Sequence, residues 1–255
     1  MKTATDIHWN ERAASVKDDV EVNIMDVFQR ELEYEHVCRH LQKHMVVLET
    51  GCGNGYSTQR FRDLVKHVDA FDYAETMIAR AKSSVGETNN RFMLDNVLRP
   101  RGISGSYDAV LCIRVLINLR DVDEQRTALR NLMGFVKRGG LLILVEGFRE
   151  GFEALSELRG HMGLPPLEPA KINFYTRVSD LLPMIEEQFK LESSFHLGAY
   201  DCLTRVHYPM VVGAKNARHN TVFSERSAQL AKVLDPASFE ALSRVRGLVC
   251  RKTGK

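Results

Sequence analysis

Short apolar runs alternate with stretches of helical periodicity along the first 150 residues, the pattern of a parallel α/β sheet. Val46-Val47-Leu48 is the first run, and its unbroken apolar character suits a strand covered on both faces. A helical stretch over Thr58 to Lys66 follows, and Val68 to Phe71 makes a second run. Ala74 to Ser84 then places Met77, Ile78 and Ala81 at helical spacing. Arg91 to Leu94 is a third run and Ala109 to Ile113 a fourth, with a helix predicted from Glu124 to Val136. Gly139-Gly140 reads as a stop, after which Leu141 to Val145 forms a fifth run.

The tail keeps the alternation more loosely. Val178 to Phe189 predicts a helix, Leu191 to Leu203 one long or interrupted strand, and Arg246 to Arg251 a last short strand. The fold class expected is α/β, a Rossmann-like, doubly wound, mostly parallel seven-stranded sheet with helical lid insertions. No repeat or long Gly/Pro/Ser linker divides the chain, so 1–255 reads as a single domain. Its parts are an N-terminal arm over 1–35, helical in pattern from Ile24 to Leu41, and a core over 36–146. Two insertions, 147–176 and 207–243, do not fit a minimal alternating core. Open parallel sheets bind ligands outside the carboxyl ends of their strands, so both insertions are expected on the ligand side.

Composition narrows the function classes. The chain has 255 residues, 44% hydrophobic and 27% charged, so a core can be buried without disulfides or metals. Thirty-five Lys and Arg against 33 Asp and Glu leave a formal charge of +2, no field for a dedicated nucleic-acid binder. The five cysteines, Cys38, Cys52, Cys112, Cys202 and Cys250, lack paired or Cys/His ligand spacing and read as reduced thiols of a cytoplasmic protein. The polar first 20 residues show no signal peptide. No apolar run approaches the ~20 residues of a membrane span. Neither a carboxylate cluster nor a ligand spacing marks a metal site.

The chemistry is concentrated in Leu48-Glu49-Thr50-Gly51-Cys52-Gly53-Asn54-Gly55-Tyr56, between a predicted strand and a predicted helix. Glycines there tolerate positive φ and let a ligand approach the backbone. Asp72 closes the next strand 21 residues after Gly51, a spacing that suits a carboxylate on the two hydroxyls of a ribose. The pattern is GxGxG rather than GxGxxG, and Glu49 would repel a pyrophosphate while favouring an ammonium. These features favour S-adenosylmethionine over a dinucleotide. Cys52 inside the turn reads as small filler.

Residues 45 to 146 resemble the class I S-adenosylmethionine-dependent methyltransferase family. The resemblance rests on Glu49 to Gly55, on Phe71-Asp72 with Met77 and Ala81, and on Leu94-Asp95-Asn96-Val97. It continues through Tyr107-Asp108-Ala109-Val110 with Val115-Leu116, and through Gly139-Gly140-Leu141. It implies Gly51 and Gly53 against the methionine moiety, with Glu49 near its amino group and Asp72 on the ribose. Tyr73 and Met77 would flank the adenine, Asp95 would bond its amino group, Asn96 would supply a backbone contact, and Val97 would belong to the same cofactor site. Ile113 and Arg114 would border the methionine carboxylate or the acceptor. Trp9 and Arg12 of the arm would close over the cofactor.

The acceptor is less constrained. The Asn/Asp-Pro-Pro-aromatic signature of amino-group methyltransferases acting on DNA or protein is absent after the fourth run, where Ile113-Arg114-Val115-Leu116 stands instead. A large lid and a tail rich in polar and aromatic residues suit O-methylation of a small molecule such as a sugar or its nucleotide- or phosphate-linked form. The tail weakly resembles bacterial methyltransferases encoded with surface-polysaccharide genes. Alternatives are N-methylation of a small amine or tRNA, and cofactor binding without catalysis. An oxygen acceptor needs a general base. His207, placed just after the expected sixth strand, is the first candidate, with His8 on the arm and Glu146 at the end of the fifth run as rivals.

Overall fold

A computed structural model describes residues 4–16 and 24–254. The parts of the predicted arm at 1–3 and 17–23 lie outside the described residues. Seven strands form one sheet in the order β3-β2-β1-β4-β5-β7-β6. They are β1 (Val46–Thr50), β2 (His67–Asp72), β3 (Asn90–Leu94), β4 (Tyr107–Ile113), β5 (Val136–Gly147), β6 (Phe189–His196) and β7 (Val245–Lys252). β1 to β5 pair in parallel, and β7 runs antiparallel between β5 and β6. The strand order reverses between β1 and β4, which opens a ligand crevice at their carboxyl ends.

Ten α-helices of the described residues carry labels here. They are α1 (Ala4–Ser15), α2 (Val27–Cys38), α3 (Tyr56–Phe61), α4 (Glu75–Ser84), α5 (Val122–Gly134), α6 (Arg149–His161), α7 (Val178–Glu186), α8 (Gly198–Cys202), α9 (Tyr208–Val212) and α10 (Val222–Ala231). One apolar cluster gathers Val47, Phe61, Val68, Ile78, Phe92 and Leu111 on one face of the sheet. A second holds Leu48, Phe71, Val110, Leu129, Leu142 and Phe148 on the other. The central strands are therefore buried on both sides, as their unbroken apolar runs predict.

Two features depart from the sequence reading. Gly139-Gly140 does not end an element but bulges inside β5. The pairing steps from Tyr107 opposite Val136 to Ala109 opposite Leu141, Gly139 takes φ 75°, and a Cβ on Gly140 would lie 2.9 Å from the Asp108 carbonyl oxygen. The glycines let one strand absorb extra residues. In the tail, the strand expected to reach Leu203 stops at His196. Gly198 then packs so closely on the 237–242 turn that a Cβ would meet the Phe239 carbonyl at 1.9 Å, and α8 begins. A π-turn over Leu203–His207 follows. The alternation of polar and apolar residues there serves a helix whose polar side chains are tied inward: Tyr200 donates to Asp26 at 2.7 Å, and Asp201 pairs with Arg244 at 2.6 Å.

The insertions also differ from each other. Segment 147–176 lies over the crevice, supplying Phe152, Lys171, Asn173 and Tyr175 to it, whereas His219 is what 207–243 supplies. The rest of 207–243 is built into the body of the fold. Ala228 joins the core, and the buried Ser243 hydroxyl accepts the Leu197 N–H at 2.8 Å.

Candidate active site

A cavity of about 820 Å³ opens at the carboxyl ends of β1, β2 and β4. Its floor is the glycine turn. Gly51, Gly53 and Gly55 all have positive φ, of 64°, 53° and 81°. A Cβ on Gly51 would lie 2.5 Å from Val115 Cγ2, so glycine there is required by space as well as by backbone conformation.

Two acids frame this turn. Asp72 accepts the Gly53 N–H at 3.0 Å through Oδ2 and the Ala74 N–H at 2.9 Å through Oδ1. Burial raises its pKa against those hydrogen bonds. These backbone N–H groups and that of Tyr73 do not exhaust its lone pairs, so the carboxylate can still accept from a ligand hydroxyl. Glu49 accepts from the hydroxyls of Ser57 and Thr58 on α3. Its carboxyl is buried, and burial pushes its pKa up to about 7 despite those hydrogen bonds. An uncompensated acid facing a cavity favours a cation beside it. Cys52 is fully enclosed, and burial pushes its thiol well above the ordinary range, so the filler reading stands over a nucleophile.

The far wall begins where β4 ends. Arg114 holds φ 59°, a left-handed conformation that ordinary side chains seldom adopt. The turn is held from below by Glu146, whose Oε1 accepts the N–H groups of Val115 and Leu116 at 2.8 Å each. Oε2 accepts from Ile117 at 3.3 Å, and the Asn118 amide donates to the Arg114 carbonyl at 2.8 Å.

Most of the residues singled out by sequence meet in this one cavity. Glu49, Gly51, Gly53, Asp72, Tyr73, Met77, Asn96, Val97, Ile113 and Arg114 line it, and so do His8, Trp9 and Arg12. The arm is seated by α4: Thr76 donates to Asn10 at 2.9 Å and Arg80 to the carbonyl of Ala13 at 2.9 Å. Ala13, Ala74 and Met77 form a small apolar cluster with Trp9 and Tyr73 packed on it.

Three residues are placed elsewhere. His207 is exposed, outside the cavity lining, with its ring toward Phe223 at 6.0 Å. It misses the cavity because a helix, not a strand, leads up to it. Glu146 lies behind the cavity wall with its oxygens committed to three backbone N–H groups, so it shapes the turn and is not a base. Asp95 is likewise spent locally, accepting from Asn96, Arg101 and Gly102 at 2.8 to 3.0 Å, and it does not line the cavity.

Residues 47–140 match the family described as "Methyltransferase domain". Those residues are a methyltransferase domain. The matched segment carries the glycine turn on which the resemblance to the class I S-adenosylmethionine-dependent methyltransferases rests. A malonyl-[acyl-carrier protein] O-methyltransferase of Bacillus anthracis is 31% identical over 111 residues, 43% of this chain and 40% of that protein. The chain thus spans well under half of the length of that curated relative. Likeness in fold extends further than the methyltransferase domain's own limits. The N-methyltransferase NodS of Bradyrhizobium japonicum superposes with TM-score 0.60 at 14% identity, covering 97% of this chain and 98% of that one. A putative methyltransferase of Haloferax volcanii gives TM-score 0.64 at 13% identity, over 96% and 97%.

Around the methyltransferase domain, the α2 side of the cavity holds residues that sequence reading passed over. Asp26 caps α2 by accepting the Gln29 N–H at 3.1 Å, and it also pairs with Arg205 at 2.6 Å. These contacts, with Tyr200 and His219, hold its carboxyl far below the ordinary range against the opposing effect of burial. Arg244 donates to Gln29 at 3.0 Å, and Arg30 pairs with Glu33 at 2.6 Å. The sequence signal was the N-cap Asp26 before Val27-Phe28. Its partners Tyr200, Arg205 and His219 lie about 175 to 195 residues away and left no local trace. Among the described residues, no group of three or more His, Cys, Asp or Glu forms a metal cluster, and no helix is long and apolar enough to cross a membrane.

Proposed function

We propose that the protein is an enzyme that transfers a methyl group from S-adenosylmethionine to an oxygen of a small acceptor such as a sugar or its phosphate- or nucleotide-linked form. The observation that carries this reading is the pairing of two buried acids around one glycine turn. Glu49 offers its carboxylate to an ammonium, and Asp72 offers its carboxylate to the hydroxyls of a ribose. Bound there, the cofactor supplies an electrophilic methyl group on its sulfonium. Tyr73 and Met77 give an apolar slot for the adenine, Asn96 and Val97 line its edge, and Trp9 and Arg12 close that side of the cavity.

The residues of this chain do the rest by alignment and exclusion of water. Segment 147–176 covers the acceptor end with Phe152, Lys171, Asn173 and Tyr175. A cavity so covered admits a small molecule more readily than a nucleic-acid duplex. His8 and His219 are the imidazoles that line it. The Nδ1 of His219 lies 2.9 Å from Arg205 Nη1 and 3.4 Å from Asp26 Oδ2, so this ring is engaged in the Asp26–Arg205 network. We assign the proton-accepting role to His8.

The O-methyltransferase relative supports an oxygen acceptor. The alternative is suggested by the [4+2]-cyclase SpnF, which has the same fold at TM-score 0.57 and 15% identity. The test incubates the protein with methyl-labelled S-adenosylmethionine and a panel of sugars, sugar phosphates, sugar nucleotides and small amines. Label on a hydroxyl supports the reading, and label on an amine corrects the acceptor atom. Tight binding of S-adenosylhomocysteine with no transfer to any class of acceptor overturns methyl transfer in favour of cofactor binding alone.

A further inference from the structure

At the end of β4, two neighbouring side chains go separate ways. Val115 packs on the glycine turn, its Cγ2 2.5 Å from where a Cβ of Gly51 would stand. Arg114 instead extends to the β5 side, its Nη1 3.1 Å from where a Cβ of Gly147 would stand. Tyr175 Cε1 and Ile117 Cδ1 crowd the same point, at 2.9 and 2.7 Å. Glycine at 147 therefore leaves the space that the guanidinium occupies.

That Nη1 is enclosed and has no hydrogen-bond partner among the described residues. A buried guanidinium nitrogen without an acceptor costs free energy that folding does not recover. Burial pushes the Glu146 carboxyl up to about 7 and nearby Arg114 opposes that rise, yet the two form no ion pair among the described residues, and the carboxylate is bound to three backbone N–H groups. The left-handed φ of Arg114 is a second cost, sustained by Glu146 from behind the cavity wall and by the side-chain amide of Asn118 on its carbonyl. Two independent costs converge on one side chain that lines the cavity. The missing partner is an anion, and the guanidinium fork matches a carboxylate or a phosphate.

We infer that the methyl acceptor carries a carboxylate or phosphate group held by Arg114 in the corner of the cavity walled by Gly147 and Tyr175. The inference rests on the methyl-transfer reading above. It places the anion away from the glycine turn, so Arg114 serves the acceptor and not the amino-acid end of the cofactor. Lys171, on the segment that carries Tyr175, adds a second positive charge to the acceptor end of the cavity.

The test uses the full chain saturated with S-adenosylhomocysteine, at fixed ionic strength. Calorimetry and ligand-observed NMR measure succinate and glycerol 3-phosphate against their neutral counterparts, succinamide and glycerol. At least one anion is expected to bind while its neutral counterpart does not, and the anion that binds identifies the group. Arg114→Gln should weaken that anion about tenfold or more, the loss expected for a charge-assisted hydrogen bond, with S-adenosylhomocysteine affinity within about twofold. Gly147→Ala, which crowds the guanidinium without removing it, should weaken the anion in the same direction. It also keeps the test valid should Arg114→Gln fail to fold. Anion binding that persists in both variants, or no preference for anions over neutral counterparts, overturns the inference. Loss of S-adenosylhomocysteine affinity in Arg114→Gln with anion binding intact assigns Arg114 to the cofactor and overturns it as well. Failure of the unmodified protein to bind S-adenosylhomocysteine is a separate result: it removes the methyl-transfer reading, and this inference with it.

Discussion

The Asp72 carboxylate accepts the backbone N–H of Gly53 at 3.0 Å, so the acid that ends β2 also fixes the middle of the turn that follows β1. One side chain thus shapes the glycine turn and presents the ribose acceptor. Asp72→Ala should weaken S-adenosylhomocysteine by roughly 1.5–3 kcal/mol, measured by calorimetry, because a hydrogen-bonded charged group is lost. Asp72→Asn keeps one acceptor oxygen and should fall between. Binding unchanged in Asp72→Ala, or a preference for NAD, would remove Asp72 from the cofactor site.

Glu146 gives a different signature. Its removal leaves three buried N–H groups of 115–117 without their acceptor, so Glu146→Ala should destabilise the protein by roughly 2–4 kcal/mol. Glu146→Gln keeps an acceptor oxygen for Val115 and Leu116 and should lose much less. Both should leave the acidic limb of the pH–rate profile in place, because the group positions the turn and takes no proton from the acceptor. A flattened acidic limb in Glu146→Gln would restore it as the base.

The difference between these two acids explains what was legible from sequence. Asp72 and Glu49 sit at fixed offsets from a glycine turn on central strands, where unbroken apolar runs mark the strands and local spacing carries the chemistry. Asp95 and Glu146 occupy equally suggestive strand ends. Whether a carboxylate faces a ligand or backbone N–H groups is decided by turns such as 95–102 and 114–118, whose path a residue pattern does not encode. The tail was misread for a related reason. Tyr200 and Asp201 fall inside the strand expected from Leu191 to Leu203, but their polar atoms are matched to Asp26 and Arg244, which are distant in sequence.

His207 provides a direct check on that correction. With its ring exposed beside Phe223, His207→Ala should leave turnover within about twofold, far from the ~10²–10⁴-fold typical of a lost general base. His8→Ala should show the larger loss. The opposite ranking, read from pH–rate profiles at saturating cofactor, would return the base to the π-turn.

Burial of Glu49 couples cofactor binding to protons. Its carboxyl is pushed up to about 7 in the folded protein, from 4.5 in the absence of burial. The folded state therefore holds an extra proton between about pH 4.5 and 7, and this group's contribution to stability declines as pH rises through that window. An ammonium placed beside the carboxylate reverses the preference and drives the proton off. Binding of S-adenosylhomocysteine near pH 6.5 should then release a fraction of a proton, seen as a dependence of calorimetric heat on the ionisation enthalpy of the buffer. Affinity should fall as pH drops from about 7 to 5. Glu49→Gln should abolish both the proton release and that pH dependence, bind more weakly above pH 7, and lose the corresponding slope in the stability of the ligand-free protein. Proton release that survives in Glu49→Gln would assign the coupling to another group, and binding heats independent of buffer in the unmodified protein would mean that no ammonium meets Glu49.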